Sequence, residues 1–129
     1  MYVTSVEKTK KETITEKGVE GMSVRWLLEE SIGVPFEMRY FEVEKNGSCP
    51  IHEHDFVHEV FIVRGKGIFV GGDKEKEVTA GDSLFISPHE PHQCRNPFNE
   101  VFGFICIIPK GLENEIKYRN DYGSEAEQK

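Results

Sequence analysis

The stretch IHEHDFVHEVFIVRGKG (residues 51–67) sets His52, His54 and His58 ahead of an apolar run, and SPHEPHQCRN (residues 87–96) holds His89 and His92. These two short runs contain all five histidines of the chain. Side chains two apart on an extended strand share a face. Positions 52, 54 and 58 would then present three imidazoles to one side, and His92, arriving on a second strand after a turn, would add a fourth. Imidazole is a ligand for Zn, Cu, Fe and Ni, and for Mn alongside oxygen donors. A set of polar side chains solvated on a sheet surface would explain neither the clustering nor the shared parity.

Around these runs the chain reads as all-β. Short β-branched and aromatic segments alternate with Gly, Pro, Asn and Asp: Phe36 to Glu44, Val57 to Arg64, Gly67 to Val70, Lys76 to Thr79, Ser83 to Ile86, His92 to Arg95 and Val101 to Ile108. Such spacing is that of a sandwich or barrel. Gly71-Gly72-Asp73 should close a hairpin and Ala80-Gly81-Asp82 the next reversal, because glycine adopts positive φ without steric cost. Lys45-Asn46-Gly47 is expected to turn the chain likewise. Met22 to Leu28 reads as a leading strand. Residues 1–20 form an N-terminal segment suited to an added strand, residues 21–110 the barrel, and residues 111–129 a polar tail with no assigned chemistry.

Composition narrows the function classes. A chain of 129 residues suits one domain. Lys and Arg number 16 against 23 Asp and Glu, for a formal charge of -7, and the basic residues form no stripe, which argues against nucleic acid. No apolar run approaches a membrane span, and MYVTSVEKTKKE is not a secretion signal, so a cytoplasmic setting is expected. Cys49, Cys94 and Cys106 are odd in number and form no C-x-x-C pair, so no disulfide framework is implied; Cys49 and Cys94 sit near the histidines, but four imidazoles suffice and both read as spectators.

From Gly47 to Asn96 the chain resembles the two motifs of the cupin superfamily, small β-barrels that hold one metal inside. The first is usually written G-x5-H-x-H-x3,4-E-x6-G. Here four residues rather than five separate Gly47 from His52; His52 and His54 match H-x-H, and the carboxylate slot falls on His58 or Glu59. Two arguments select His58: it shares parity with the other two histidines, and six residues separate it from Gly65, the motif's interval. Glu59 should face the other way unless a bulge resets the parity. The second motif, G-x5-P-x-G-x2-H-x3-N, falls on Gly81, Ser87, His89, His92 and Asn96; Ser87 and His89 stand where the motif has proline and glycine. His92 is the expected ligand there, and His89 is placed on a turn near solvent.

Through MRYFEVEKNG, HEVFIVRGK and FICIIPK the chain is more narrowly similar to small single-domain cupins of hyperthermophiles, whose metal, often manganese, is held by four histidines. The resemblance implies a jelly-roll β-barrel and one divalent ion, Mn or Fe before Zn, Ni or Cu, on His52, His54, His58 and His92. It further implies two open coordination positions, dioxygenase-like or alkene-cleaving chemistry on a small molecule, and a homodimer. Arg39 shares strand parity with apolar Phe41 and Val43 and should point inward, either clamping an anionic substrate or pairing with an acidic neighbour. Phe104 and Cys106 share a face of the last strand, which the resemblance sets beside the metal, so both are pocket candidates or ordinary core. Trp26-Leu27-Leu28 fits a core strand or a dimer contact better than a cofactor stack. A metal-dependent oxidoreductase is the first functional expectation and a non-catalytic small-ligand module the second; an isomerase lacks an inward carboxylate or lysine to move a proton.

Overall fold

The computed structural model describes residues 1–111. Its strands are β1 (Glu12–Thr13), β2 (Glu20–Leu28), β3 (Phe36–Ser48), β4 (His58–Arg64), β5 (Lys66–Gly71), β6 (Lys74–Thr79), β7 (Ser83–Ile86), β8 (His92–Arg95) and β9 (Phe102–Pro109), with a 3-10 turn at Glu30–Ile32. Every expected run is a strand, and the leading segment is β2. The strand order is β6-β5-β8-β3-β9-β4-β7, with β2 on β3 and β1 on β2, all antiparallel. This is the all-β jelly-roll barrel that the resemblance implies. The polar tail lies almost wholly outside the described residues, and no helix among those described is long and apolar enough to cross a membrane.

Alternation decides which side of the sheet becomes interior. On β4, His58, Val60 and Ile62 are buried while Glu59 and Phe61 are exposed; on β9, Phe102, Phe104, Cys106 and Ile108 are buried. Antiparallel pairing sets Val60 beside Cys106 and Ile62 beside Phe104, so the inward sets meet in one core with Phe41 and Val43 of β3. Full burial of each such side chain is worth roughly 1.5–3 kcal/mol. Gly65, the last residue of the first motif, has φ +67, and a Cβ there would collide with the Val101 carbonyl oxygen. The motif's glycine is therefore required by the turn into β5. Gly72, at φ +60, closes the two-residue hairpin between Gly71 and Lys74 as expected.

One expected turn is corrected. Lys45-Asn46-Gly47 does not reverse the chain; β3 continues through it to Ser48 with a local kink at Asn46, φ 67. The backbone groups freed by the kink are satisfied across the sheet. Asn46 N–H donates to the Asn96 carbonyl at 2.7 Å, Asn96 N–H to the Gly47 carbonyl at 2.9 Å, and the Asn96 side-chain amide to the Val43 carbonyl at 2.9 Å. The fully buried Asn96 of the second motif thus holds the kink that leads into the first.

The N-terminal segment is tied down rather than free. Arg25 on β2 donates to the carbonyls of Val6 and Thr9, each at 2.6 Å, and β1 pairs with β2.

Candidate metal centre

His52, His54 and His92 bring their ring nitrogens within 4.8 Å of one another. His58 joins through His54, their Nε2 atoms 2.9 Å apart, and its ring centre is 5.3 Å from that of His92. His89 is not part of the group: it is exposed, at φ 63, on the turn before β8.

The local route to this convergence differs from a single extended strand. Of the three histidines in the first run only His58 lies on a strand; His52 makes an isolated bridge to His92, and residues 53–57 form a bent loop. The loop is held from outside by His89, whose N–H donates to the His54 carbonyl at 2.7 Å. Inside, Phe56 stacks nearly parallel on the His54 ring, with centres 4.2 Å apart and planes 9° apart. Parity therefore points the imidazoles to the correct side, but loop packing holds His54 there. Phe56 was not singled out by spacing; its signal is an apolar ring between two ligand candidates in a loop, where exposure would be expected.

Each ring has a second contact that orients it. His52 Nδ1 lies 3.0 Å from the Pro50 carbonyl and His92 Nδ1 2.8 Å from the Glu90 carbonyl. A carbonyl can only accept, so Nδ1 carries the hydrogen in both rings, and in the single-hydrogen tautomer the Nε2 lone pair is left to face the cluster. His92 Nε2 is buried without a hydrogen-bond partner among the described residues. Such an orphaned acceptor beside other imidazoles is what a metal ligand requires. The residues present fit a divalent cation.

His58 is oriented by sulfur. Its Nδ1 is 2.8 Å from Cys106 Sγ, which also accepts from Arg39 Nη2 at 3.1 Å. For His58 Nε2 to offer its lone pair, Nδ1 must hold the hydrogen and the sulfur must accept it. Arg39 Nη2 can only donate, so it too uses that sulfur as an acceptor.

The electrostatics keep His54, His58 and His92 neutral. Burial first, then the neighbouring imidazoles, push His54 and His92 down to about 3. His58 is pushed down further, by burial and then by the positive Arg39. Burial raises the Cys106 thiol against the pull of Arg39. Neutral imidazoles are the ligating form, so protonation does not compete near neutrality.

A small cavity adjoins the histidines, with about 30 Å³ of open space. Arg39, Phe104 and Cys106 all line it, as do His52, His58 and His92, whereas among the described residues no Asp or Glu does. Arg39 is 1% exposed, lies 4.8 Å from the Phe41 ring centre and 5.5 Å from that of Trp26, and forms no ion pair among the described residues. Its Nε has no hydrogen-bond partner there either. The rim ion pair considered for it is not what the structure shows. Trp26, weighed as core or dimer contact, backs this guanidinium. Glu59 is exposed on the outer face, so no bulge turns it inward.

A family profile described as a cupin domain matches residues 39–108, more than half of the chain. This chain belongs to the cupin family. It is 34% identical over 76 residues to the 1-methylthio-D-xylulose 5-phosphate methylsulfurylase of Rhodospirillum rubrum, a match covering 59% of this chain and 49% of that protein. The chain thus spans about half the length of that curated relative. The polyketide cyclase RemF from Streptomyces resistomycificus superposes with a TM-score of 0.81 at 29% identity, over 86% of this chain and 80% of that one. A cupin 2 conserved barrel domain protein from Rhodopseudomonas palustris does so with a TM-score of 0.74 at 28% identity, over 84% and 78%. A three-histidine cluster in a cupin barrel points to a metal site.

Proposed function

We propose that this cupin binds one divalent cation, Mn or Fe, through His52, His54, His58 and His92, and acts as an oxidoreductase on a small anionic molecule, dioxygenase-like or alkene-cleaving in type. The observation that carries the reading is the charge balance of the cavity. Among the described residues Arg39 is buried without an ion pair and no carboxylate lines the space, and the histidines are neutral ligands. Buried positive charge of this kind needs an anion. When bound, such a cation supplies Lewis acidity and, as Mn or Fe, one-electron redox chemistry.

The chain's own residues define the rest. Arg39 offers a planar fork to a carboxylate or similar oxyanion. Phe41, Phe69 and Phe104 wall the cavity and exclude water. Among the described residues no Asp, Glu or Lys lines it to take a proton from carbon, which supports oxidation over isomerisation. The reactions named for the relatives differ from each other, so the reading rests on the cavity. A non-catalytic small-ligand module is the second reading, favoured by the small open volume. Three free thiols suit the reducing, cytoplasmic setting proposed for the chain.

Elemental analysis with magnetic resonance of the bound metal tests the reading. About one equivalent of Mn or Fe, depleted in His58→Ala, supports it. Arg39→Met should keep the metal yet need about 10-fold or more of a small carboxylate such as oxalate to perturb its spectrum, because a charge-assisted hydrogen bond is lost. Zinc without exchangeable water, or no metal, would move the assignment to the binding module.

We also propose that two copies pair through the outer face of β4 and β7, where Phe61, Val63 and Phe85 are exposed. A stable monomer in sedimentation at micromolar concentration would remove that part.

A further inference from the structure

Cys49 and Cys94 have no part in the proposed chemistry, yet the fold sets them face to face. Ser48 pairs with Arg95, which places Cys49 directly opposite Cys94 on the neighbouring strand. The Cys49 N–H donates to the Cys94 carbonyl at 3.2 Å, and the two sulfur atoms are 3.9 Å apart. The Cys94 N–H donates to Cys49 Sγ at 3.4 Å, an interaction that favours negative charge on that sulfur. Both side chains are buried, at 3% and 4% exposure, and both line the small cavity that Cys106 also lines.

Burial alone would make such thiols inert. Here the cavity provides the approach, and its open space of about 30 Å³ selects the oxidant. That space admits a small molecule such as hydrogen peroxide and not a peptide disulfide.

We infer that Cys49 and Cys94 form a reversible dithiol–disulfide site, oxidised by a small hydroperoxide that reaches them through the cavity. Cys49 Sγ attacks a peroxide oxygen: the S–O bond forms, the O–O bond breaks, and the departing hydroxide takes up a proton as water. Cys94 Sγ then attacks the resulting sulfenic sulfur: the S–S bond forms, the S–O bond breaks, and a second water leaves. Overall, two thiols lose two electrons and two protons, and one peroxide becomes two waters. Bonding requires the sulfurs to close to about 2.05 Å, a movement made by side-chain rotation between directly opposed strand positions. The bond joins the segment leading into His52 to the strand that begins at His92. It stands independently of which cation the histidines hold.

The test uses the full chain as purified, treated with equimolar hydrogen peroxide, then denatured in excess alkylating agent and mapped without reduction. The expected result is a mass lower by two hydrogens, about 2 Da, with only Cys106 alkylated and a Cys49–Cys94 cross-linked peptide that dithiothreitol releases. Cys106→Ser should form the same cross-link, and Cys94→Ser should form none. Alkylation of all three cysteines after peroxide would overturn the inference. So would a cross-link through Cys106 or between chains, or oxidation that accumulates at Cys106 while Cys49 and Cys94 stay alkylatable.

Discussion

His89 and His92 lie on one short turn and have opposite fates. His92 begins β8, is 4% exposed, bridges to His52 and directs an unpartnered Nε2 into the imidazole cluster. His89 is exposed at φ 63 and contributes only its backbone, through the N–H given to His54. The same residue type on one turn is thus a ligand candidate or a strained connector according to backbone position. Parity and burial decide the role, and composition does not.

Replacing His92 should have the largest effect. His92→Ala removes the orphaned Nε2 and the ring fixed by the Glu90 carbonyl, so metal content by elemental analysis should fall at least about 10-fold. Retention of full metal content would break the comparison at its stronger end. The same residue predicts acid lability of chelator-stripped protein. His92 and His54 sit near 3 in the folded chain against an ordinary 6.5, so between those values the unfolded chain holds protons that the folded chain does not. Stability therefore rises with pH across that window and is lost as pH falls from about 6.5 toward about 3. His92 alone accounts for on the order of 5 kcal/mol. Urea melts of stripped protein at several pH values measure the slope; a flat profile would mean that the imidazoles are not desolvated.

Much of the fold was legible because β-branched and aromatic residues alternate cleanly on β4 and β9, and that parity, with the interval to Gly65, selects His58 over Glu59. Arg39 was also legible as inward, from its apolar companions on β3. Other features depend on cross-strand register, which spacing along one chain does not carry. Asn46 looks like a hairpin turn until Asn96, fifty residues later, is seen to satisfy its backbone. Phe56 supports His54 only because the loop bends there. The Cys49–Cys94 opposition follows from the pairing of Ser48 with Arg95, so a spectator reading was natural from sequence.

An intermediate effect should come from the sulfur behind the cluster. Cys106→Ala removes the group that receives both His58 Nδ1 and Arg39 Nη2. Loss of an outer partner of a ligating histidine typically weakens metal affinity about 10–100-fold. Competition with a chromophoric chelator would measure it, and Cys106→Ser, which keeps an acceptor, should recover most of the loss. Equal loss in both variants would assign the effect to packing instead of ring orientation.

The smallest effect belongs to His89, and its sign is opposite. A side chain at φ 63 carries a steric cost of about 1–2 kcal/mol, which glycine relieves. Glycine also gives the unfolded chain more freedom, which takes back roughly 0.5–1 kcal/mol. His89→Gly should therefore stabilise the protein by up to about 1 kcal/mol, seen as a higher urea midpoint with an unchanged slope. The N–H to the His54 carbonyl survives the change, so the loop stays seated and metal content should match the parent. A stabilised variant with full metal would show that this turn serves the site through its backbone alone. Depleted metal would instead make the His89 ring a ligand and remove the contrast with His92.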